Sequence, residues 1–199
     1  MHGINDTDID IDMADRDDLL RIVPHVHASM INEGIIKKHN VGVYFQDAPT
    51  FMNTGMCSID YKETGKYGFF KVDILNNSVY EDIDNETQLD ELLNMEVDWT
   101  MLEDSKIVGE LPHIASHYSL VVAMAPKSVK DLADVLAMMR PAKKNLLDRY
   151  LNNKIETRKE LYTKPLDGQF YFKYSHAIAY AVSITIRMNY MKYVEKINY

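Results

Sequence analysis

Residues 6–13 read Asp-Thr-Asp-Ile-Asp-Ile-Asp-Met, with Asp6, Asp8, Asp10 and Asp12 at every second position. In a strand, alternate residues share a face, so this spacing puts the carboxylates on one side and Ile9, Ile11 and Met13 on the other. Like charges in one row repel, and something must offset them. Two readings are open. Water and salt suffice for a solvated acidic terminus, the reading kept for Asp6. A divalent cation held by Asp8, Asp10 and Asp12 is the sharper reading, because hard cations take carboxylate oxygens.

A second segment repeats the pattern. In Phe-Phe-Lys-Val-Asp-Ile, residues 69–74, the strand period sets Lys71 and Asp73 on one face against Phe70, Val72 and Ile74 on the other. If the two strands are neighbours about 4.8 Å apart, Asp10, Asp12 and Asp73 converge. Three converging carboxylates suit two Mg²⁺ ions roughly 3.5–4 Å apart, with Mn²⁺ as a possible substitute. Lys71 then neutralises the cluster or touches a phosphate. A calcium loop fits the row poorly: Met13 stands where such a loop needs glycine, and no closing glutamate follows.

Further strand signals are the β-branched and aromatic runs at 41–47 and 56–61, with turns expected at 53–55 and 63–68. Residues 15–23 read as a short helix that Pro24 interrupts. From Glu86 the pattern turns helical. Ser128 is the expected N-cap of a helix that must end before Pro141, and residues 175–196 have helical spacing of apolar positions. The expected architecture is α+β: a small mixed sheet over 1–85 with the acidic site, then a helical region over 86–199.

Charge divides farther along the chain. Residues 1–125 carry 8 basic and 23 acidic side chains, a balance of −15, while residues 126–199 carry 14 and 7, a balance of +7. An acidic half for metal and a basic half for phosphate is one reading; two halves attracting each other is the other. One cysteine, Cys57, excludes an internal disulfide and a Cys-rich zinc site, and fits a reducing, cytoplasmic setting. It reads as a small core residue. No apolar run approaches the ~20 residues that cross a membrane.

Five pieces of the chain, in order, resemble bacterial replicative DNA polymerases of the C family, the polymerase III alpha subunit. Residues 6–20 look like the palm signature Pro-Asp-x-Asp-x-Asp-Phe, with Asp8 on its opening aspartate and Asp10 and Asp12 on its catalytic pair. His39, Gly42 and Val43 match an Arg-His-Ala-Ala-Gly-Val segment, and Lys71 and Asp73 match Lys-Phe-Asp-Phe-Leu-Gly. Arg140 and Pro141 match a Leu-x-Arg-Pro-Gly-Pro fingers motif; Ser175, His176, Ala177, Ala179, Tyr180 and Ala181 match Lys-Ser-His-Ala-Ala-Ala-Tyr-Ala. The pattern is broken at Asn76, Ala142 and Tyr174. The family's PHP nuclease, clamp-binding and OB-fold regions have no counterpart in these residues.

The resemblance implies a condensed palm-plus-fingers relative: a nucleotidyltransferase-like palm adding dNTPs to a DNA 3′ end. Asp10, Asp12 and Asp73 would be catalytic and metal-binding. Lys71, His39, Arg140, Ser175 and His176 would meet nucleotide or phosphate. Such a short chain would lean on a replication partner: a polymerase subunit, a clamp or a second copy. The alternative is a non-catalytic descendant that binds DNA or such a partner. For single residues the plain readings stay open. His39 can be a strand-edge imidazole, Lys143 and Lys144 cations at a helix end, and His176 a core or capping histidine.

Overall fold

The computed structural model describes residues 9–166 and 171–197. Asp6 and Asp8 lie outside the described residues. The architecture is α+β, and the chain divides into two compact units after Asp82.

The first unit is built on a four-stranded mixed sheet. Strands β1 (Ile9–Met13), β2 (Val26–Asn32), β3 (Ile35–Tyr44) and β4 (Val72–Asn76) stand in the order β1-β4-β3-β2. β1 runs parallel to β4; the other pairs are antiparallel. Helix α1 (Arg16–Ile22) connects β1 to β2, with Asp15 accepting the Asp17 N–H at 2.8 Å as its cap. Glu33 and Gly34 join β2 to β3 with φ of 49° and 79°, the paired left-handed conformation that turns a hairpin with the sheet's own twist. Val43, Val72 and Ile74 are buried on one face, where Met13, Leu19 and Leu20 cover them. Tyr44, pointing the other way, packs with Ala28, Ala48 and Cys57. The cysteine is free and buried.

Two differences from the sequence pattern have physical causes. Residues 56–61 form only single bridges, Thr50–Cys57 and Ser29–Asp60, rather than a strand. The segment is tied to β2 by two backbone bonds, from the Cys57 N–H to the His27 carbonyl (2.8 Å) and from the Tyr61 N–H to the Ser29 carbonyl (3.0 Å), and side chains complete the strap: Ser29 Oγ donates to the carbonyls of Cys57 (2.6 Å) and Ile59 (3.1 Å), and the Asp60 carboxylate accepts the Ile31 N–H (2.6 Å). Ile9 and Ile11, expected to face a core, are 39% and 37% exposed. β1 is the sheet edge, and α1 covers the middle of the apolar face beside it.

The second unit is helical: α2 (Glu86–Asn94), a 3-10 helix Trp99–Glu103, α3 (Ser105–Glu110), α4 (Tyr118–Met124), α5 (Val129–Met138), α6 (Leu147–Asn152), α7 (Lys154–Leu161) and α8 (Tyr174–Ile197). Ser128 caps α5 by accepting the Asp131 N–H at 3.1 Å, and α5 ends before Pro141 as expected. Every residue of α5 from Leu132 to Met138 is buried, and it packs along α8 at the centre of the core. Asp134 is fully buried there. It accepts hydrogen bonds from Tyr150 (2.5 Å) and Tyr162 (3.0 Å) and pairs with Arg158. Asn189 of α8 donates to the carbonyls of Leu92 (2.8 Å) and Met95 (3.2 Å), satisfying the end of α2 that would otherwise be left open.

Candidate metal and nucleotide site

Parallel pairing of β1 with β4 sets the register Asp10–Asp73 and Asp12–Leu75. Asp10 and Asp73 are thus side by side on neighbouring strands, about 4.8 Å apart, and Asp12 follows on the same face two residues along. Like charges directly opposite on a sheet face destabilise it, and the surroundings show how this is offset. The Lys71 ammonium pairs with the Asp73 carboxylate, with only 14% and 18% of the two side chains exposed. Asn77 is tied through its N–H to the Met13 carbonyl (2.7 Å) and through its Oδ1 to the Val79 N–H (3.2 Å), which leaves its Nδ2 to donate to Asp12 at 3.1 Å. Tyr80 stands near the same carboxylate: burial raises the pKa of its phenol, and the Asp12 charge adds to the rise.

His39 arrives at this face through an irregularity of β3. The β2–β3 register steps from Ser29–Lys38 to His27–Val43, so β3 bulges over residues 39–42. Inside the bulge, His39 Nδ1 accepts the N–H of Gly42 at 2.9 Å and that of Val41 at 3.4 Å. With Nδ1 an acceptor, the proton of the neutral ring sits on Nε2. Burial, and then the Lys71 ammonium, lower the pKa of the ring, and Tyr61 lies against it at 4.9 Å. His39 is therefore a neutral hydrogen-bond donor beside the carboxylates. Gly42, paired with Asp73 across β3–β4, leaves the space for this crossing. A Cβ there would stand 2.7 Å from Lys71 Cδ and 2.8 Å from His39 Nδ1.

Among the described residues, no group of three or more His, Cys, Asp or Glu side chains is gathered closely enough to form a ready metal centre. Lys71 and Asn77 hold two of the three carboxylates to themselves. The donor set still suits a hard divalent ion: all three are oxygen ligands on one sheet face.

Arg140, Ser175 and His176 belong to the second unit. The Arg140 guanidinium lies 4.4 Å above the Phe172 ring, and His176 meets the same ring edge-on at 6.3 Å. Phe172 stacks on Tyr180 at 5.4 Å, and His113, held at φ 65°, closes on Tyr180 at 4.4 Å. Ser175 is exposed in the first turn of α8. Lys143 follows the plain reading, a cation at a helix end, although the helix is α7. It is buried and donates to the carbonyls of Glu160 and Thr163, each at 2.7 Å, closing the end of α7. Lys144 stays exposed.

Sequence reasoning passed over Asn77, Tyr80 and Tyr61 in the first unit and Phe172 and His113 in the second. Asn77 could have been found, since it follows the strand that carries Asp73 and must face back toward β1. Comparison with protein-family models, curated proteins and solved structures returns no match. Among the described residues, no helix is long and apolar enough to cross a membrane.

Proposed function

We propose that the chain is a DNA polymerase-like nucleotidyltransferase that adds dNTPs to a DNA 3′ end, in a reducing, cytoplasmic setting. The observation that carries this reading is the in-register pairing of Asp10 with Asp73 on adjacent parallel strands, with Asp12 on the same face. Asp10, Asp12 and Asp73 are the residues that would hold Mg²⁺ or Mn²⁺. Such ions supply charge stabilisation for phosphate oxygens and activation of the attacking hydroxyl. The chain's own residues do the rest. Lys71, displaced from Asp73, turns its ammonium toward the triphosphate. His39 donates through Nε2 to a phosphate or sugar oxygen without adding charge. Within the second unit taken by itself, Arg140 and His176 are the candidates for phosphate contact. Ser175 beside them at the start of α8 offers a hydroxyl.

A second reading is favoured by the Lys71–Asp73 ion pair: a descendant that keeps the fold, fills its own cation position and binds DNA or a replication partner without catalysis. Primer extension under single-hit conditions in Mg²⁺ and Mn²⁺ separates the two. The catalytic reading expects added nucleotides from the wild-type protein and none from Asp10→Asn or Asp73→Asn. No extension by the wild type in either metal, with primed DNA still bound, establishes the second reading. Bound DNA should dissociate steeply with rising salt, since phosphate contacts release counterions.

A further inference from the structure

The second unit holds a cavity of about 940 Å³ that the proposed chemistry does not use. Its walls are the segment after α2, the 3-10 helix Trp99–Glu103, the C-terminal end of α4 and Lys192 of α8. Leu102 and Val121 form a floor continuous with the core, and both are buried. Above them the wall is apolar and partly open. Val122 is 48% exposed, and Trp99 and Tyr118 present half-buried rings. The Tyr118 hydroxyl donates to the Glu103 carbonyl at 2.7 Å, which fixes the ring against the 3-10 helix. A cavity at the top of the ~300–1,000 Å³ range of ligand sites, walled by Trp and Tyr, has the composition of an interface anchor pocket.

Charge selects the occupant. Residues 83–104 contain eight acidic side chains and no Lys, Arg or His, and this stretch forms the wall from Met95 to Glu103. Asp98 is neutralised by Lys192 at 3.0 Å. Glu96 and Glu103 make no ion pair among the described residues, and across the mouth Lys127 makes none. The rim is thus two open carboxylates against one ammonium, continued by an acidic stretch longer than the cavity. A phosphate backbone is repelled by it. A small cation answers the cavity but not the stretch. A polypeptide answers both.

We infer that the cavity docks a basic segment of a partner protein. The segment inserts large apolar side chains beside Trp99 and Tyr118, and its Lys or Arg side chains meet Glu96 and Glu103. This rests on the second unit alone and stands whether or not the first unit is catalytic.

Trp99 is the only tryptophan of the chain, so its fluorescence reports this cavity directly in the full-length protein. The probes are a lysine–leucine amphipathic peptide and its glutamate–leucine counterpart. The lysine peptide should shift Trp99 emission to the blue, saturably, and added salt should weaken it. The glutamate peptide should bind at least about tenfold more weakly, which is 1.4 kcal/mol. Val122→Asp puts a further negative charge on an exposed wall position, so simple charge attraction predicts tighter binding of the lysine peptide. Insertion predicts a loss of about tenfold or more instead, with melting curves confirming that the variant is folded. Glu96→Lys with Glu103→Lys should reverse the preference between peptides. Equal response to both peptides, no response to either, or unchanged binding in Val122→Asp overturns the inference.

Discussion

Replacing Lys71 by Met tests the candidate metal site most directly. Methionine keeps a flexible stem of similar length above Gly42 and removes only the ammonium. In the wild type that ammonium pairs with Asp73, and the two side chains are just 14% and 18% exposed. A hydrogen bond to a charged group in such a setting contributes about 1.5–3 kcal/mol. A divalent ion that uses Asp73 must first break it, so the same free energy opposes metal binding. Removing it should tighten Mn²⁺ binding by roughly ten- to a hundredfold, because each 1.4 kcal/mol is a factor of ten.

Stability without metal should move the opposite way. Asp73 loses its partner while Asp10 remains beside it in register, so the metal-free variant melts lower and gains more from added Mn²⁺ than the wild type does. Calorimetric Mn²⁺ titration, with melting curves at zero and millimolar metal, measures both. Extension activity should nevertheless fall, since the ammonium proposed to reach the triphosphate is gone. Unchanged or weaker Mn²⁺ affinity in Lys71→Met refutes the reasoning: the carboxylates are then not a cation site that Lys71 occupies.

Three other outcomes are expected. Gly42→Ala drives a methyl group to within 2.7 Å of Lys71 Cδ and 2.8 Å of His39 Nδ1. Its urea midpoint should fall by the equivalent of about 1–3 kcal/mol, and an unchanged midpoint means that the two side chains swing clear at no cost. His27 has its pKa lowered to about 4 from 6.5, by burial first and then by the charge of Lys38. Between those values the unfolded chain binds more protons. The stability conferred by neutral His27 is complete above pH 6.5 and lost as pH falls toward 4. His27→Gln should flatten that part of the melting temperature–pH curve, and parallel curves for the two proteins would rule it out. Asp134→Ala strips the acceptor from Tyr150 and Tyr162 and leaves Arg158 without its buried partner. The loss should be about 3–5 kcal/mol in denaturant unfolding, against less than 1 kcal/mol if the network is idle.

The strength of each local signal decided what could be read from the sequence. The aspartate row and residues 69–74 carry a period of two over several residues, and both yield strands, with β4 beginning three residues later and ending two later than that segment. Ser128 and Pro141 bracket α5 because capping and the missing proline N–H act within one turn. Residues 56–61 look like a strand because they are β-branched and aromatic, but only two backbone bonds join them to β2, and Ser29 and Asp60 satisfy groups that a continuous ladder would otherwise pair. The bulge at 39–42 depends on a close approach between Gly42 and Lys71, residues far apart in the chain, so no local pattern could reveal it. The same holds for Lys143. Just after α5 it reads as a cation at that helix's end, and only folding brings the carbonyls of Glu160 and Thr163, at the end of α7, to its Nζ.

The aspartate row has one competing structural explanation, and the sheet order allows the two to be weighed. β1 is an edge strand, and charged side chains keep exposed edges from pairing with other chains. That purpose is met by Asp10 and Asp12 alone, anywhere along β1. It gives no reason for Asp73, which lies on the interior strand β4 in direct register with Asp10. A carboxylate there opposes its neighbour and costs stability, where Asn or Thr would avoid the repulsion. The fold answers that cost with Lys71, a compact cation on a flexible stem, and keeps Gly42 bare so that the stem can cross. A protective edge needs none of these parts. The proposed cation position would use all of them: paired carboxylates, an internal counter-ion in Lys71, and a neutral donor, His39, that would add no charge if Lys71 were displaced.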